Sequence, residues 1–239
     1  MGGIFGTISS KVVSEKDLRI LAMHSRQRGR EYSGLVYNNE RGYVIKRFDY
    51  GIINALNKEK WSGFNVVIGN SSSSSKSILD SQPVVRDGII LIHDGIVVNE
   101  QDVWEKINII RKSNNASEII IGIVLKHFED GGDIIDLPQK ILTLCEGTIS
   151  AIVAIPSLGK ALLFSNCGSF YVGKKIDNIY FASENYPLQY IACEEILQIW
   201  QEGIIVDIPK AETIDVVDDI QQKKDKHISK FKDLAAEEA

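Results

Sequence analysis

Short apolar runs separated by turn-forming residues fill the first part of the chain and predict β-strands there. The first run begins at the N-terminus itself, so we expect the extreme N-terminus to belong to the core. Ser14 precedes apolar residues at helical spacing, and this pattern predicts a helix over residues 14–28 that ends at Gly29. The predicted strands cover residues 3–9, 34–37, 43–48, 65–69 and 88–93.

The dipeptide Asp94-Gly95 lies between two apolar runs and predicts a tight turn, after which a strand resumes at residues 96–98. The middle of the chain then changes to helical periodicity. The predicted helices cover residues 99–107, 116–128 and 136–144, and later strands cover 149–155, 161–165, 169–172, 179–182 and 204–208. This order of elements predicts an α+β layered domain, with sheets packed inside helices.

The last part of the chain predicts an amphipathic helix or tail. From residue 218 onward, apolar residues fall on roughly one helical face and charged residues on the other. The apolar positions are Ile220, Ile228, Phe231 and Leu234. We therefore divide the chain into a domain over residues 1–212 and a C-terminal helix or tail over residues 213–239. So sparse a stripe holds a helix only if it packs on something, and we expect a partner, a second copy of the chain or its own domain to cover it.

Composition and charge exclude several classes of protein. The 239 residues are 44% hydrophobic, which is ample for a core, and the formal net charge of −5 argues against binding a nucleic-acid backbone. No apolar run approaches the ~20 residues that span a bilayer, and no signal peptide is evident, so we expect a cytoplasmic protein. Cys145, Cys167 and Cys193 have no metal-ligand spacing and no histidine motif beside them. We expect them to be buried free thiols, and we expect neither a metal nor a cofactor.

Several motifs, in order along the chain, resemble those of the class II glutamine amidotransferases. The opening Met-Gly-Gly-Ile-Phe-Gly at residues 1–6 is similar to the family's Met-Cys-Gly-Ile-Phe-Gly. Residues 27–34 resemble its Arg-Gly-x-Asp/Glu-Ser-x-Gly segment, and residues 91–97 resemble its His-Asn-Gly-Ile. Further similarities are Ser-Gln-Pro-Val at 81–84, Ala-Ser-Glu at 116–118 and Phe-Ala-Ser-Glu at 181–184. The chain looks most like the glutaminase domains of glucosamine-6-phosphate synthase and amidophosphoribosyltransferase.

This resemblance implies the four-layer αββα sandwich of the Ntn hydrolases. We expect two stacked antiparallel sheets between helical layers, with residues 2–8 in a central strand. In the family, Met1 is removed, and the exposed cysteine supplies the thiol nucleophile and, through its own α-amino group, the general base. Gly2 stands in that place here, and glycine has no side chain with which to attack a substrate.

The other chemical positions that the resemblance implies also differ from the family. Ser72 falls where an arginine would grip the substrate α-carboxylate, and Ala116 falls where an acid would hold the α-amino group. Asp94 replaces the asparagine whose amide donates to the oxyanion, which leaves only the backbone N–H of Gly95 for that task. Arg28, in the matched Arg-Gly segment, remains a candidate for substrate binding.

Together these substitutions favour a pseudoenzyme that cannot hydrolyse glutamine. Such a protein would be a non-catalytic binding or regulatory subunit beside an amidotransferase, an isomerase or a synthetase, or part of a homo-oligomer. The resemblance associates it with bacterial surface-sugar amination, within amino-sugar biosynthesis. One alternative is an active glutamine amidotransferase that carries an engineered Cys-to-Gly change at Gly2 and supplies ammonia to a sugar phosphate or similar acceptor. Another is a hydrolase that uses the Gly2 amine as base and water as nucleophile.

Overall fold

Two β-sheets stack face to face, each with helices on its outer side, in the computed structural model, which describes residues 2–59, 63–73 and 77–219. The strands are β1 (Gly2–Ile8), β2 (Tyr32–Asn39), β3 (Gly42–Phe48), β4 (Val66–Ser72), β5 (Val84–Arg86), β6 (Ile89–Val97), β7 (Gly147–Ile155), β8 (Lys160–Ser165), β9 (Tyr171–Lys175), β10 (Asn178–Ala182), β11 (Glu194–Gln198), β12 (Glu202–Asp207) and β13 (Ile214–Asp219). The α-helices are α1 (Glu15–Ser25), α2 (Ile52–Lys58), α3 (Glu100–Ile107), α4 (Glu118–Glu129), α5 (Leu137–Leu144) and α6 (Asn185–Tyr190).

The strand order places β1 inside the larger sheet. Among the described residues, the first sheet has the order β11-β9-β10-β1-β4-β2-β3-β13, and the second has the order β12-β8-β7-β6-β5. The strands pair antiparallel throughout, except that β13 runs parallel to β3. The start of the chain therefore lies between two partner strands, β10 and β4, as the sequence predicts.

Three apolar cores fill the spaces between the four layers. The core between the sheets contains Ile4 and Ile68 from the first sheet and Ile92 and Leu163 from the second. A second core joins α1, α2 and α6 to the outer face of the first sheet, and a third joins α3, α4 and α5 to the outer face of the second. Both faces of each sheet are thus buried, which explains why the strands read as nearly continuous apolar runs. The predicted αββα sandwich is confirmed.

Glycines in the central strands let aromatic rings lie directly over the backbone. Phe5 of β1 is opposite Gly69 of β4, and a Cβ at Gly69 would lie 2.3 Å from the Phe5 ring. Phe181 of β10 is opposite Gly6 of β1 and covers it in the same way, with 2.3 Å between its ring and a Cβ built at Gly6. The rings take the volume that the missing side chains leave, so the central strands pack densely on both faces.

Helix α1 begins and ends as its sequence predicts. The Ser14 hydroxyl accepts a hydrogen bond from the Asp17 N–H at 3.3 Å, which caps the first turn. The helix buries Leu18, Leu21 and Ala22 against the first sheet and then tightens into a 3₁₀ turn over Arg26–Arg28. That turn delivers Arg28 to the edge of the sheet.

Two predictions about the chain's local structure are wrong. Asp94-Gly95 is not a tight turn, because β6 continues through both residues. Residues 214–219, predicted as part of a C-terminal helix or tail, form strand β13 instead. Its place is fixed by distant residues, since Arg47 donates two hydrogen bonds to the Asp218 carboxylate, at 2.6 and 3.0 Å. The remaining positions of the predicted helix, including Ile220, Ile228, Phe231 and Leu234, lie outside the described residues.

The structure also bears on the expectations about membrane-spanning segments and about the cysteines. In the described part of the chain, no helix is long and apolar enough to cross a membrane. All three cysteines are free, as predicted. Cys145 is buried, whereas Cys167 and Cys193 are only half-buried, so the expected burial is right for one of them.

We expect replacement of Phe5 by alanine to lower the free energy of unfolding by about 3–5 kcal/mol, because it would empty the space over Gly69 inside a fully buried core. Urea unfolding followed by circular dichroism would measure the change. The matched control is Val12→Ala at an exposed position, which should change stability by less than about 0.5 kcal/mol. Equal effects of the two substitutions would contradict the central role of β1.

Candidate active site

Gly2, Arg28 and Asp94 meet where the start of β1 faces β6 of the second sheet. The backbone N–H of Gly2 donates to Oδ1 of Asp94 at 2.6 Å. The Arg28 guanidinium donates through Nε to the Gly2 carbonyl at 2.7 Å and through Nη2 to Oδ2 of Asp94 at 2.8 Å. These three contacts close a ring of hydrogen bonds, which we call the Gly2 cluster.

Glu184 joins the Gly2 cluster from the N-terminal end of α6. It accepts a hydrogen bond from Nη1 of Arg28 at 2.6 Å. The Asp94 side chain is 6% exposed and that of Arg28 is 23% exposed, whereas Glu184 is 54% exposed. The pair with Asp94 is therefore poorly screened by solvent, and the pair with Glu184 contributes less. Burial lowers the pKa of Arg28, but the charges and hydrogen bonds of the two carboxylates outweigh it and hold that pKa above its usual value.

Local packing explains why Arg28 reaches the cluster. The Ser25 hydroxyl, at the end of α1, donates to the Gly3 carbonyl at 2.9 Å and holds the helix end on β1. Gly29 follows Arg28, and a Cβ there would lie 2.5 Å from the Ser72 backbone. A side chain at position 29 would push the turn away from β4. Gly29 therefore allows the turn to lie close enough to β4 for Arg28 to reach the cluster.

Asp94 reaches the cluster because β6 alternates its side chains between two faces. Ile90 and Ile92 point into the core between the sheets, and Asp94 follows on the same face. Gly95 then has φ +139°, and a Cβ there would lie 1.9 Å from the Thr148 carbonyl of β7. The glycine thus permits a close approach of two paired strands, which is the physical reason that Asp-Gly does not mark a turn here.

His93 lies on the opposite face of β6 and takes no part in the cluster. Gln82 holds its backbone by accepting from the His93 N–H and donating to the His93 carbonyl, both at 2.6 Å. Its Nδ1 is 3.0 Å from the Ser117 hydroxyl at the start of α4. Burial lowers the pKa of His93 to about 4, so the ring is neutral near pH 7 and has a structural role.

The structure places Ser72 beside the cluster and Ala116 at the start of α4. Ser72 is the cross-strand partner of Gly2 and therefore lies beside the cluster. Ala116 is exposed, and it precedes Ser117, whose hydroxyl lies 3.0 Å from Nδ1 of His93, the residue before Asp94. Glu184 and Gln82 were not predicted as site residues, although both stand in motifs that resemble the family's. An acid at the end of Phe-Ala-Ser-Glu was the signal that could have indicated Glu184.

The cluster has no group that could attack a substrate, and its polar atoms satisfy one another. A Cβ built on Gly2 would lie 2.7 Å from the Ser71 carbonyl oxygen and 3.8 Å from Oδ1 of Asp94, so even a small side chain requires the backbone to shift. Both Asp94 oxygens already accept hydrogen bonds. Within the described part of the chain, no group of three or more His, Cys, Asp or Glu side chains is placed to hold a metal ion.

Comparison with solved structures identifies the fold. Glutamine phosphoribosylpyrophosphate amidotransferase from B. subtilis superposes with a TM-score of 0.67 and 16% identity, over 86% of this chain and 47% of that one. A structure described as the allosteric regulatory enzyme of purine biosynthesis gives the same values. A glutamine aminotransferase class-II domain protein from Silicibacter pomeroyi superposes with a TM-score of 0.53 and 10% identity, over 86% of this chain and 99% of that one.

These likenesses establish the Ntn-hydrolase fold of glutamine amidotransferase domains for this chain. The chain spans about half the length of the first two structures that it matches. No protein-family model and no curated protein sequence matches it.

We expect Arg28 and Asp94 to be coupled in stability. Arg28→Ala should cost about 2–4 kcal/mol, because it leaves a carboxylate buried without its cation. In the background of Asp94→Asn the same change should cost about 1–3 kcal/mol less, as a double-mutant cycle measured by urea unfolding would show. The matched control is the exposed pair of Arg19 and Glu15, whose coupling should stay below about 0.5 kcal/mol. Additive effects of Arg28→Ala and Asp94→Asn would contradict the closed cluster.

We expect His93 to make stability depend on pH between about 4 and 6.5. The unfolded ring binds a proton near its ordinary pKa of 6.5, whereas the folded ring resists protonation down to about 4. Stability is therefore complete above pH 6.5 and falls as the pH drops through this window, by about 3 kcal/mol in total. Unfolding curves of His93→Gln should lack this part of the slope and should run parallel to those of the wild type above pH 6.5. Identical slopes in the acid window would count against a buried neutral ring.

Proposed function

We propose that this chain, which has the fold of glutamine amidotransferase domains, does not hydrolyse glutamine and acts as a non-catalytic binding or regulatory subunit. The observation that carries the proposal is the closed Gly2 cluster. In it a glycine, an arginine and an aspartate satisfy one another where an active member of the resembling family would hold a nucleophile and an oxyanion donor.

The missing nucleophile supports the proposal first. Acyl transfer by covalent catalysis requires a side chain that attacks the amide carbon, and Gly2 has none. The strand is also shaped around this absence, since a Cβ at position 2 would meet the Ser71 carbonyl at 2.7 Å. The absence of a nucleophile at position 2 and the lack of room for a Cβ there thus support the same conclusion.

A second argument for the proposal is the negative charge at the oxyanion position. An oxyanion is stabilised by donors that point at it, and a carboxylate can only accept. Asp94 forms an ion pair with Arg28, whose Nη2 is 2.8 Å from Oδ2. The guanidinium that could have faced an anionic substrate is engaged by two carboxylates of the chain itself.

A third argument comes from Ser72 and Ala116. The resemblance assigns these two positions to binding the two charged ends of glutamine. Ser72 offers no paired cationic donors for a carboxylate, and Ala116 offers no acceptor for an ammonium group. Hydrogen bonds to charged groups are worth about 1.5–3 kcal/mol each. Losing both therefore removes about 3–6 kcal/mol of binding energy, which corresponds to about 10²–10⁴-fold in rate at low glutamine.

A binding role supplies a reason for such a chain to keep its fold. We propose that the chain acts in the cytoplasm with an amidotransferase, isomerase or synthetase subunit or with a second copy of itself. The motifs that resemble stand-alone domains support a place in bacterial surface-sugar amination, within amino-sugar biosynthesis. This part of the proposal rests on resemblance and on the intact αββα scaffold.

We expect that Gly2→Cys will not produce glutaminase activity. The substitution would restore a thiol, but the backbone at Ser71 must shift to admit it, and Asp94 still places an acceptor where a donor is required. Removal of one oxyanion donor alone costs about 10²–10³-fold in rate. Ammonia and glutamate would be measured at millimolar glutamine, on protein that mass spectrometry shows to begin at residue 2.

Two further variants control this experiment. Gly2→Ala makes the same demand on the backbone without a thiol, so its thermal unfolding shows whether the Cys variant keeps the fold. The combined Gly2→Cys, Ser72→Arg, Asp94→Asn and Ala116→Asp variant tests whether the named positions account for the loss. Steady ammonia release by Gly2→Cys alone would refute the proposal and favour an active amidotransferase changed only at Gly2.

A further inference from the structure

Strand β13 lies at the edge of the first sheet, where it pairs in parallel with β3. Within the described residues, no strand pairs with its other side. None of its six residues is buried, and Val216 and Val217 are each 45% exposed. Of the six, only Ile214 packs against an apolar core, whereas every residue of β1 after Gly2 is buried. The attachment of β13 therefore owes little to apolar burial.

Two carboxylates at the end of β13 anchor it to the sheet. Arg47 donates to Asp218 through Nε at 2.6 Å and through Nη2 at 3.0 Å. Asp219 accepts a hydrogen bond from the Tyr50 hydroxyl and lies 3.7 Å from Nζ of Lys58. The side chains of Asp218 and Asp219 are 25% and 39% exposed, so solvent and salt reach both contacts and weaken them.

The groups that hold these carboxylates have supports of their own. Nη1 of Arg47 donates to the Leu79 carbonyl at 3.3 Å. Nζ of Lys58 donates to the Tyr50 hydroxyl at 2.8 Å and lies 4.1 Å from the centroid of that ring. Tyr50 is buried in the core on the outer side of the first sheet. The edge of β3 and these side chains therefore keep their arrangement whether or not β13 lies on them, and we call them the β3 edge site.

The chain before β13 has a point from which the strand can separate. The Tyr43 hydroxyl donates to the Pro209 carbonyl at 2.9 Å, and the Ala211 N–H donates to the Pro156 carbonyl at 3.1 Å. Residues 212–213, which follow, are both exposed. The chain is thus fixed as far as Ala211, and β13 can leave β3 without disturbing the cores of the sandwich.

We propose that β13 is a releasable strand and that it occupies, within its own chain, a site for an extended partner segment with two consecutive acidic residues. When β13 leaves, the backbone N–H and C=O groups along β3 become free to pair with another strand. Arg47 and Lys58 then favour a segment whose acids lie where Asp218 and Asp219 lie now. The inference goes beyond the proposed binding role, and it holds whether or not the Gly2 cluster is inactive.

The release would regulate binding by competition. A partner segment and β13 use the same β3 edge site, so the affinity for the segment falls in proportion to the fraction of molecules in which β13 is in place. The chain itself therefore sets how tightly a partner binds, and any change that weakens β13 strengthens partner binding.

Hydrogen exchange of the full chain, followed by mass spectrometry, would measure the release. We expect the amides of β13 to exchange about 10²-fold or more faster than those of β1, because the edge strand opens without unfolding the core. Asp218→Asn should speed exchange in β13 by a further factor of about 3–10, since it removes the charge that pairs with Arg47. The matched control is Asp207→Asn in β12, the edge strand of the second sheet, which loses an exposed pair with Lys160 and should leave β13 unchanged.

Fluorescence anisotropy on the full chain would measure binding of a labelled peptide with the sequence of residues 212–219. The Asp218→Asn chain should bind it about 3–10-fold more tightly than the wild type, because its β3 edge site is open more often. Addition of Arg47→Ala to Asp218→Asn should abolish this gain. A control peptide with asparagine at both acidic positions that correspond to Asp218 and Asp219 should bind the Asp218→Asn chain about tenfold more weakly.

Three results would overturn the proposal, in variants whose thermal unfolding shows an intact fold. The first is exchange in β13 as slow as in β1. The second is equal affinity of the wild-type and Asp218→Asn chains for the acidic peptide, and the third is equal affinity of the Asp218→Asn chain for the acidic and control peptides. Neither measurement uses glutamine, so a failure here is distinguishable from a failure of the Gly2→Cys prediction.

Discussion

The ion pair between Arg28 and Asp94 is the interaction on which the arrangement of this protein's centre depends. It joins the turn after α1 to β6 of the opposite sheet, and through the Gly2 backbone it includes the first strand. A carboxylate that is only 6% exposed needs a partner charge, because desolvation without one costs several kcal/mol. The pair thus fixes how the turn after α1, strand β1 and strand β6 meet, while the apolar cores on either side bury the faces of the layers.

The same pair satisfies the hydrogen-bonding groups at this centre. A buried polar cluster whose donors and acceptors all find partners makes the surrounding structure rigid. Asp94 uses both of its oxygens, and Arg28 donates to a backbone carbonyl and two carboxylates. Gly2 fits this reading, since the strand backbone around it leaves no room for a Cβ without movement.

The outer face of the first sheet shows the opposite pattern. There helices α1 and α6 leave Met23, Tyr186 and Tyr190 exposed, although Glu184 at the start of α6 pairs with Arg28 after α1.

The sequence by itself determined the strands and helices whose signals are local. Ser14 caps α1, the apolar runs form the central strands, and the order of motifs indicated the αββα sandwich and the positions of Gly2, Asp94 and Ser72. Helices α2 and α6 and strands β5 and β11 were missed, because they are brief and lack strong periodicity. Only the tertiary structure decided that β6 runs through Asp94-Gly95, that residues 214–219 form a strand beside β3, and that Arg28 binds Asp94 and Glu184. Each of these depends on partners far away in the chain, and a pattern read along the sequence contains the residues but not the distances between them.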